Sequence, residues 1–273
     1  MSDHNFLILH GPPGSGKTTA VGMLERCVSE QVDVLHVNMA EESDPLPFSQ
    51  KLTLWCKSMG PVGFDKSGKL LVSDEADDAS MPVQSALCDI LDRFAPSFRL
   101  IFLCNNLDLL SERLRHRASV VFVPAMGGQA LHQLVTTLLQ NEWPNVENAE
   151  QTSSDIAAYL TWCCDPIDAR FALNSLQITH ALQLPPTVAS LQHVVGIPTE
   201  GQCQHALADP SIIMKGEFQV FEWINGLLML CKRQSRYDDL FVYLLDLRRK
   251  LRKTNVGNPD NFIVGALVRR IRK

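Results

Sequence analysis

The apolar run Phe6-Leu7-Ile8-Leu9 leads, after His10, straight into Gly11-Pro12-Pro13-Gly14-Ser15-Gly16-Lys17-Thr18-Thr19. A short buried strand, a glycine-rich loop and then a helical pattern opening on Lys-Thr leave few possibilities other than an α/β fold with the loop at a strand tip. Glycines at 11, 14 and 16 let the backbone turn tightly, so that its N–H groups can converge on an anion. The helix beginning near Gly16 adds the positive end of its dipole. In such a loop Lys17 reaches the β- and γ-phosphates of a nucleoside triphosphate and Thr18 ligates Mg²⁺. A glycine-rich turn that binds nothing is the plainer alternative, and the full order of strand, loop, Lys-Thr and helix speaks against it.

Short apolar runs recur as far as residue 123: Val32–Val37, Leu70–Val72, Leu100–Cys104 and Val120–Val123. Helical spacing fills Thr18–Val28, and again Pro82–Phe94, where Val83, Leu87, Ile90, Leu91 and Phe94 share one face. Five strands alternating with helices predict a parallel sheet covered on both sides. After Pro124 the pattern becomes helical: Leu131–Leu139, Ile156–Cys163 and Ala169–Leu182, then, beyond Pro185-Pro186, Phe218–Leu230, Leu240–Leu251 and Phe262–Ile271, the last two separated by Asn255–Pro259. The chain is thus expected to divide into an α/β domain over 1–124 and helical regions over 125–184 and 187–273.

Bulk properties exclude some classes. A formal net charge of −5 over 273 residues does not suit a chain that coats nucleic acid along its whole surface. The eight cysteines include no C-x-x-C pair, which points to a reduced intracellular protein rather than a zinc site or disulfide framework. No signal peptide is read at the N-terminus, and no apolar run reaches membrane-spanning length, so no membrane partner is expected.

A P-loop site needs an acidic element on a neighbouring strand. Lys69-Leu70-Leu71-Val72-Ser73-Asp74-Glu75-Ala76-Asp77 supplies one. Asp74 ends the strand, where a carboxylate can assist the metal. Glu75, one residue on, can accept a proton from an attacking water. Asn105, after Leu103-Cys104, could hold that water or the γ-phosphate; a turn or helix cap is the competing role for Asn105-Asn106.

With those residues in hand, the chain resembles the small subunits of the replication factor C clamp loaders, within the AAA+ ATPases. That family carries Asp-Glu-Ala-Asp, then Gln-x-Ala-Leu, then an apolar strand ending Cys-Asn; here these read Asp74–Asp77, Gln84-Ser85-Ala86-Leu87 and Cys104-Asn105. Its Ser-Arg-Cys motif reads His116-Arg117-Ala118, and its Ala-Leu-Asn-x-Leu-Gln helix reads Ala172-Leu173-Asn174-Ser175-Leu176-Gln177. The resemblance implies an α/β AAA+ domain, a helical lid over 125–184 and a helical collar over 187–273. It implies ATP with Mg²⁺, Asn105 as sensor 1, Arg170 as sensor 2, and Arg117 as an outward-facing finger that completes a neighbouring subunit's site. It also implies a ring of subunits that opens a sliding clamp and loads it on primer–template DNA, in the nucleus if the source is eukaryotic.

The chain departs from the family pattern in four places. Only four residues precede Asn5-Phe6, so the expectation is either a shortened N-terminus or a different hold on adenine. Cys88-Asp89 stand where the family has two arginines near the DNA path, which should weaken phosphate attraction. His116 and Ala118 flank Arg117, and Ile167 replaces a glycine ahead of Arg170. Basic stretches at 248–253 and 269–273 are read as solvated helix faces rather than nucleic-acid contacts. Two other readings remain at this level: an architectural subunit that binds ATP but hydrolyses little, and a nucleotide kinase, whose glycine-rich loop opens the same way.

Overall fold

The computed structural model describes residues 6–28, 30–58, 68–94, 99–215, 218–234, 237–254 and 267–271. It separates into two compact units, Met1–Met126 and Gly127–Lys273.

The first unit is built on five parallel strands: β1 (Phe6–His10), β2 (Val32–Asn38), β3 (Gly68–Asp74), β4 (Arg99–Cys104) and β5 (Ser119–Phe122), in the order β2-β3-β4-β1-β5. The insertion of β4 between β1 and β3 is what matters for the site. Its register pairs His10 with Cys104 and Val72 with Ile101, so the loops leaving β1, β3 and β4 open side by side at the carboxyl edge. That edge is where open α/β sheets hold their ligands.

Side chains alternate between two cores, as the pleat requires. On one face Phe6, Ile8, Leu71, Leu100 and Phe102 pack beneath α2 (Pro45–Lys57), α3 (Met81–Phe94) and α4 (Glu112–Arg115), contributing Phe48, Leu52, Val83, Leu87, Ile90 and Leu114. Phe6 and Phe102 meet edge to face, with ring centroids 5.0 Å apart. On the other face Leu70, Val72, Ile101 and Leu103 pack with Val21 of α1 (Lys17–Val28). Each Leu or Phe fully removed from water contributes about 1.5–3 kcal/mol. The sheet is therefore covered on both sides, as expected.

The second unit is helical throughout its described residues: α5 (Gly128–Glu142), α6 (Ala149–Cys163), α7 (Ala169–Ala181), α8 (Val188–Val195), α9 (Glu200–Ala208), α10 (Val220–Arg233) and α11 (Asp238–Thr254). α10 is its central element, burying Trp223, Ile224, Leu227, Leu230 and Cys231 along one stripe. Trp162 and Tyr159 of α6 are buried and donate hydrogen bonds to the carbonyls of Pro198 and Ile197, which ties α6 to the segment ahead of α9. Helices α2, α8 and α9 were not read from the sequence. Most of the last predicted helix and the break at 255–259 lie outside the described residues.

The basic run on α11 is partly absorbed by the fold. Leu244 and Leu251 are buried, Arg248 lies over the ring of Phe221, and Lys250 pairs with Asp246. All eight cysteines are free thiols. No helix among the described residues is long and apolar enough to cross a membrane.

Candidate functional site

The loop between β1 and α1 is shaped by close approach. Gly11 N–H donates to the Cys104 carbonyl, and a Cβ on Gly11 would sit 2.0 Å from the carbonyl oxygen of Val123. Only glycine fits there. Gly14 and Gly16 have φ of 69° and 87°, the left-handed region that glycine enters without strain. Pro12, Pro13 and Ser15 complete the turn, with Ser15 N–H donating to the Pro12 carbonyl.

Lys17 opens α1 with its side chain folded into this loop. Although charged it is only 8% exposed. Its ammonium donates to the carbonyls of Gly11 and Pro12 at 2.8 and 2.9 Å, to Ser15 Oγ at 3.4 Å, and to Asn105 Oδ1 at 3.1 Å. A buried ammonium needs such a shell of acceptors. The hydroxyl of Thr18 donates to Asp74 Oδ2 at 3.1 Å, while Thr19 follows, exposed, on α1. Three loops thereby converge: the turn after β1, Asp74 at the tip of β3, and Asn105 at the tip of β4.

Glu75 follows Asp74 in a left-handed conformation, φ 52° and ψ 40°, and is exposed. A glutamate held there is uncommon, and such strain gathers at working sites. Its N–H is capped by Asp74 Oδ1 at 2.9 Å. Asp74 thus presents one oxygen to Thr18 and the other to its own turn.

The cap expected of Asn105-Asn106 is made by the second of them. Asn105 faces Lys17, whereas Asn106 Oδ1 accepts from Asp108 N–H and caps the short 3₁₀ turn Leu107–Leu109. Two supports went unread in the sequence. Asp77 Oδ2 accepts from the N–H groups of both Asn105 and Asn106, at 3.0 and 2.9 Å. Gln84, buried on α3, donates to the carbonyls of Ala79 and Leu109 and accepts from Ser111 N–H. Both residues belong to motifs already noted, but all their partners except Ala79 lie more than twenty positions downstream, beyond local pattern.

Cys104, just ahead of Asn105, is a buried thiol. Burial pushes its pKa up to about 11, with the Asp77 carboxylate adding to the rise and Lys17 opposing it. It is a packing residue beside the site, and the neutral thiol is its form at physiological pH.

Arg117, expected to face a neighbouring subunit, is partly exposed and pairs within its own chain. Its Nη1 sits 2.5 Å from Asp92 Oδ1, its Nη2 donates to Asp92 Oδ2 at 3.2 Å, and Nη1 also approaches the Cys88 carbonyl. Asp92 takes Arg113 as well, at 2.8 Å, and Asp89 takes Arg113 at 3.2 Å. The reason is local: α3 brings acidic residues opposite the Arg113/Arg117 side of α4 and the turn after it. These arginines hold the Asp92 carboxyl below its ordinary pKa, chiefly through the Arg117 hydrogen bond. Arg170 lies in the second unit, exposed in the first turn of α7.

The donor set fits a nucleotide with its metal. The loop offers a backbone cradle and a buried ammonium, and Thr18 with Asp74 offers two hard oxygens of the kind Mg²⁺ takes alongside phosphate. Among the described residues no cluster of three His, Cys, Asp or Glu side chains could hold a metal alone.

Comparison with known proteins agrees with this geometry. No family model matches the chain. It is 25% identical over 215 residues to replication factor C small subunit 2 of Pyrobaculum islandicum, covering 78% of this chain and 63% of the relative. It is 21% identical over 218 residues to replication factor C subunit 3 of Schizosaccharomyces pombe, covering 78% and 60%. In sequence the chain is thus similar to replication factor C subunits. It spans less than two thirds of the length of these replication factor C subunits. Its fold is also that of the RuvB Holliday junction branch migration motor of Thermotoga maritima, with a TM-score of 0.52 at 17% identity over 81% of this chain and 74% of the motor. The parallel five-stranded sheet with its glycine-rich loop is the fold expected from the sequence, and it is shared with that motor.

Proposed function

We propose that this chain is an ATP-binding and ATP-hydrolysing subunit of a clamp-loader complex. The observation that carries this reading is the convergence of Lys17, Thr18, Asp74 and Asn105 at the carboxyl edge of β1, β3 and β4. In this reading Gly11–Thr19 cradle the triphosphate, Lys17 neutralises its β- and γ-oxygens, and Thr18 and Asp74 hold Mg²⁺, which supplies charge neutralisation when bound. Glu75 takes the proton of the attacking water. Asn105 exchanges its contact with Lys17 for one with the γ-phosphate or that water. Arg170 reaches the nucleotide from a lid over 125–184, and Arg117 serves a neighbouring subunit across a ring held by a collar over 187–273.

Partners in this reading are the other ring subunits, a sliding clamp and primer–template DNA, inside the cell and in the nucleus if the source is eukaryotic. Direct DNA contact at α3 is disfavoured, because Asp89 and Asp92 present carboxylates there and Arg113 and Arg117 are spent on neutralising them. That observation favours, as a second reading, an architectural subunit that binds ATP and turns it over slowly. The helical second unit and the replication factor C relatives count against a nucleotide kinase.

The test is ATP hydrolysis by the chain purified with its natural partners, with clamp and primed DNA added. Stimulation that Lys17→Ala abolishes supports the hydrolytic reading; ATP binding without stimulated turnover supports the architectural one. Transfer to a nucleoside monophosphate would overturn both.

A further inference from the structure

The contacts around the loop form a closed circuit. Thr18 holds Asp74, Asp74 leads through Glu75 and Ala76 to Asp77, Asp77 holds the backbone of Asn105 and Asn106, and Asn105 returns to Lys17, next to Thr18. Lys17, Thr18, Asp74 and Asn105 each have a role on phosphate, metal or water in the proposed function; Asp77 has none there. Its carboxylate oxygen accepts two consecutive N–H groups, a geometry that fixes both the height and the tilt of the peptide between Asn105 and Asn106. The residue sits in the 3₁₀ turn Ala76–Asp78, which begins directly after the left-handed Glu75. The turn is anchored by Ala76, fully buried in the core beneath the sheet.

We infer that Asp77 is a positioning residue that locks the Asn105 carboxamide to the Asp74–Glu75 turn, so that the two sides of the reaction centre keep one spacing. The inference rests on the proposed hydrolytic reading for its kinetic consequence, and on geometry alone for its structural one. β3 and β4 are neighbours, yet their ladder ends at Ser73 and Phe102, before either functional residue is reached. Beyond that point the strand tips have no mutual backbone bonds in the register, and Asp77 supplies the bridge. A carboxamide that must act on a γ-phosphate or its attacking water works only within a narrow window of placement. Gln84 performs a similar task further along the same loop, at Leu109 and Ser111, and leaves residues 105–106 to Asp77.

Substitution separates reach from charge. Asp77→Asn keeps a carbonyl oxygen of the same length that can accept both N–H groups. Asp77→Glu keeps the charge but carries the oxygens one methylene too far. Asp77→Ala removes the bridge. In the full chain with its partners, Asp77→Ala and Asp77→Glu are expected to lower single-turnover hydrolysis roughly 10- to 100-fold, with MgATP affinity changed by no more than about threefold. Asp77→Asn should recover most of the rate. In an Asn105→Ala background the Asp77→Ala change should add nothing further, because it acts through a group already gone.

Hydrogen exchange at the Asn105 and Asn106 amides reads the positioning without turnover. Protection should fall by about tenfold or more in Asp77→Ala and stay near wild type in Asp77→Asn. Unchanged protection in Asp77→Ala, wild-type turnover in Asp77→Glu, or multiplying losses in the double variant would each overturn the inference. A wild-type chain that binds no ATP would instead sink the proposed function, and the exchange experiment would still decide the role of Asp77.

Discussion

Arg117 Nη1 lies 2.5 Å from Asp92 Oδ1, so the arginine expected to serve a neighbouring subunit is held by its own chain. Both groups are partly open to water, and exposed ion pairs of this kind are weak and easily exchanged. In the proposed ring, a neighbouring subunit's triphosphate, carrying more negative charge than one carboxylate, would compete well for the same guanidinium. Arg117→Ala is therefore expected to lower the stimulated ATPase of the assembled complex by about 1000-fold, while ATP binding by the isolated chain stays unchanged. Unaltered activity in the complex would remove Arg117 from the trans role.

Asp92→Asn should make Arg117 easier to recruit. Half-maximal stimulation is expected at about two- to threefold lower partner concentration, with the same melting temperature for the chain alone. The pH dependence follows from the depressed carboxyl. A group whose folded pKa is lowered contributes above its unfolded value and loses that contribution as pH falls through the folded one. The pair should therefore persist through the neutral range and open only on acidification below ordinary carboxylate values, read as a change in the Arg117 side-chain NMR signals.

Gln84→Leu keeps volume but strips three backbone groups of their partners: the carbonyls of Ala79 and Leu109 and the N–H of Ser111. Denaturant unfolding should show a loss of about 2–4 kcal/mol, more than a surface substitution gives. Gln84→Glu, which can replace only the accepting half, should fall between wild type and leucine.

Burial sets thiol reactivity. Cys104 is pushed up to about 11 and Cys163 and Cys203 to about 12, each chiefly by desolvation, whereas Cys27 is exposed on α1. Because burial disfavours the thiolate, its fraction at pH 8 is very small at the three buried positions. Iodoacetamide at that pH should modify Cys27 first and spare the other three until the chain unfolds, as peptide mass spectrometry would register.

The five strands were legible because each is a short apolar run, and the loop because its glycines and Lys-Thr follow one of them. Helix α2 escaped notice since it opens with Pro45 and Pro47 and leaves Leu46 and Leu54 exposed at 70%, which blurs its apolar stripe. Helix α9 buries only Cys203 and Ala206, too little to mark a face. Strand order was out of reach, because nothing local in Arg99–Cys104 says that it will lie between β1 and β3. The same holds at the site. Lys17, Thr18, Asp74 and Asn105 carry their chemistry in their identity. The duties of Asp77 and Gln84, and the pairing of Arg117 with Asp92, exist only once segments over twenty residues apart have been folded together.

The tight seat of Gly11 against Val123 reaches beyond the loop itself. Val123 N–H donates to the His10 carbonyl at 2.7 Å while its own carbonyl oxygen leaves no space for a Cβ at residue 11. The chain leaves the first unit three residues later, at Met126. That exit is therefore fastened to the backbone of residues 10 and 11, where the glycine-rich loop begins. The exit from the first unit and the start of the glycine-rich loop thus share one backbone anchor, so in the proposed ATP-binding reading lengthening the segment after Val123 with a few glycines should weaken ATP binding without touching any side chain of the loop.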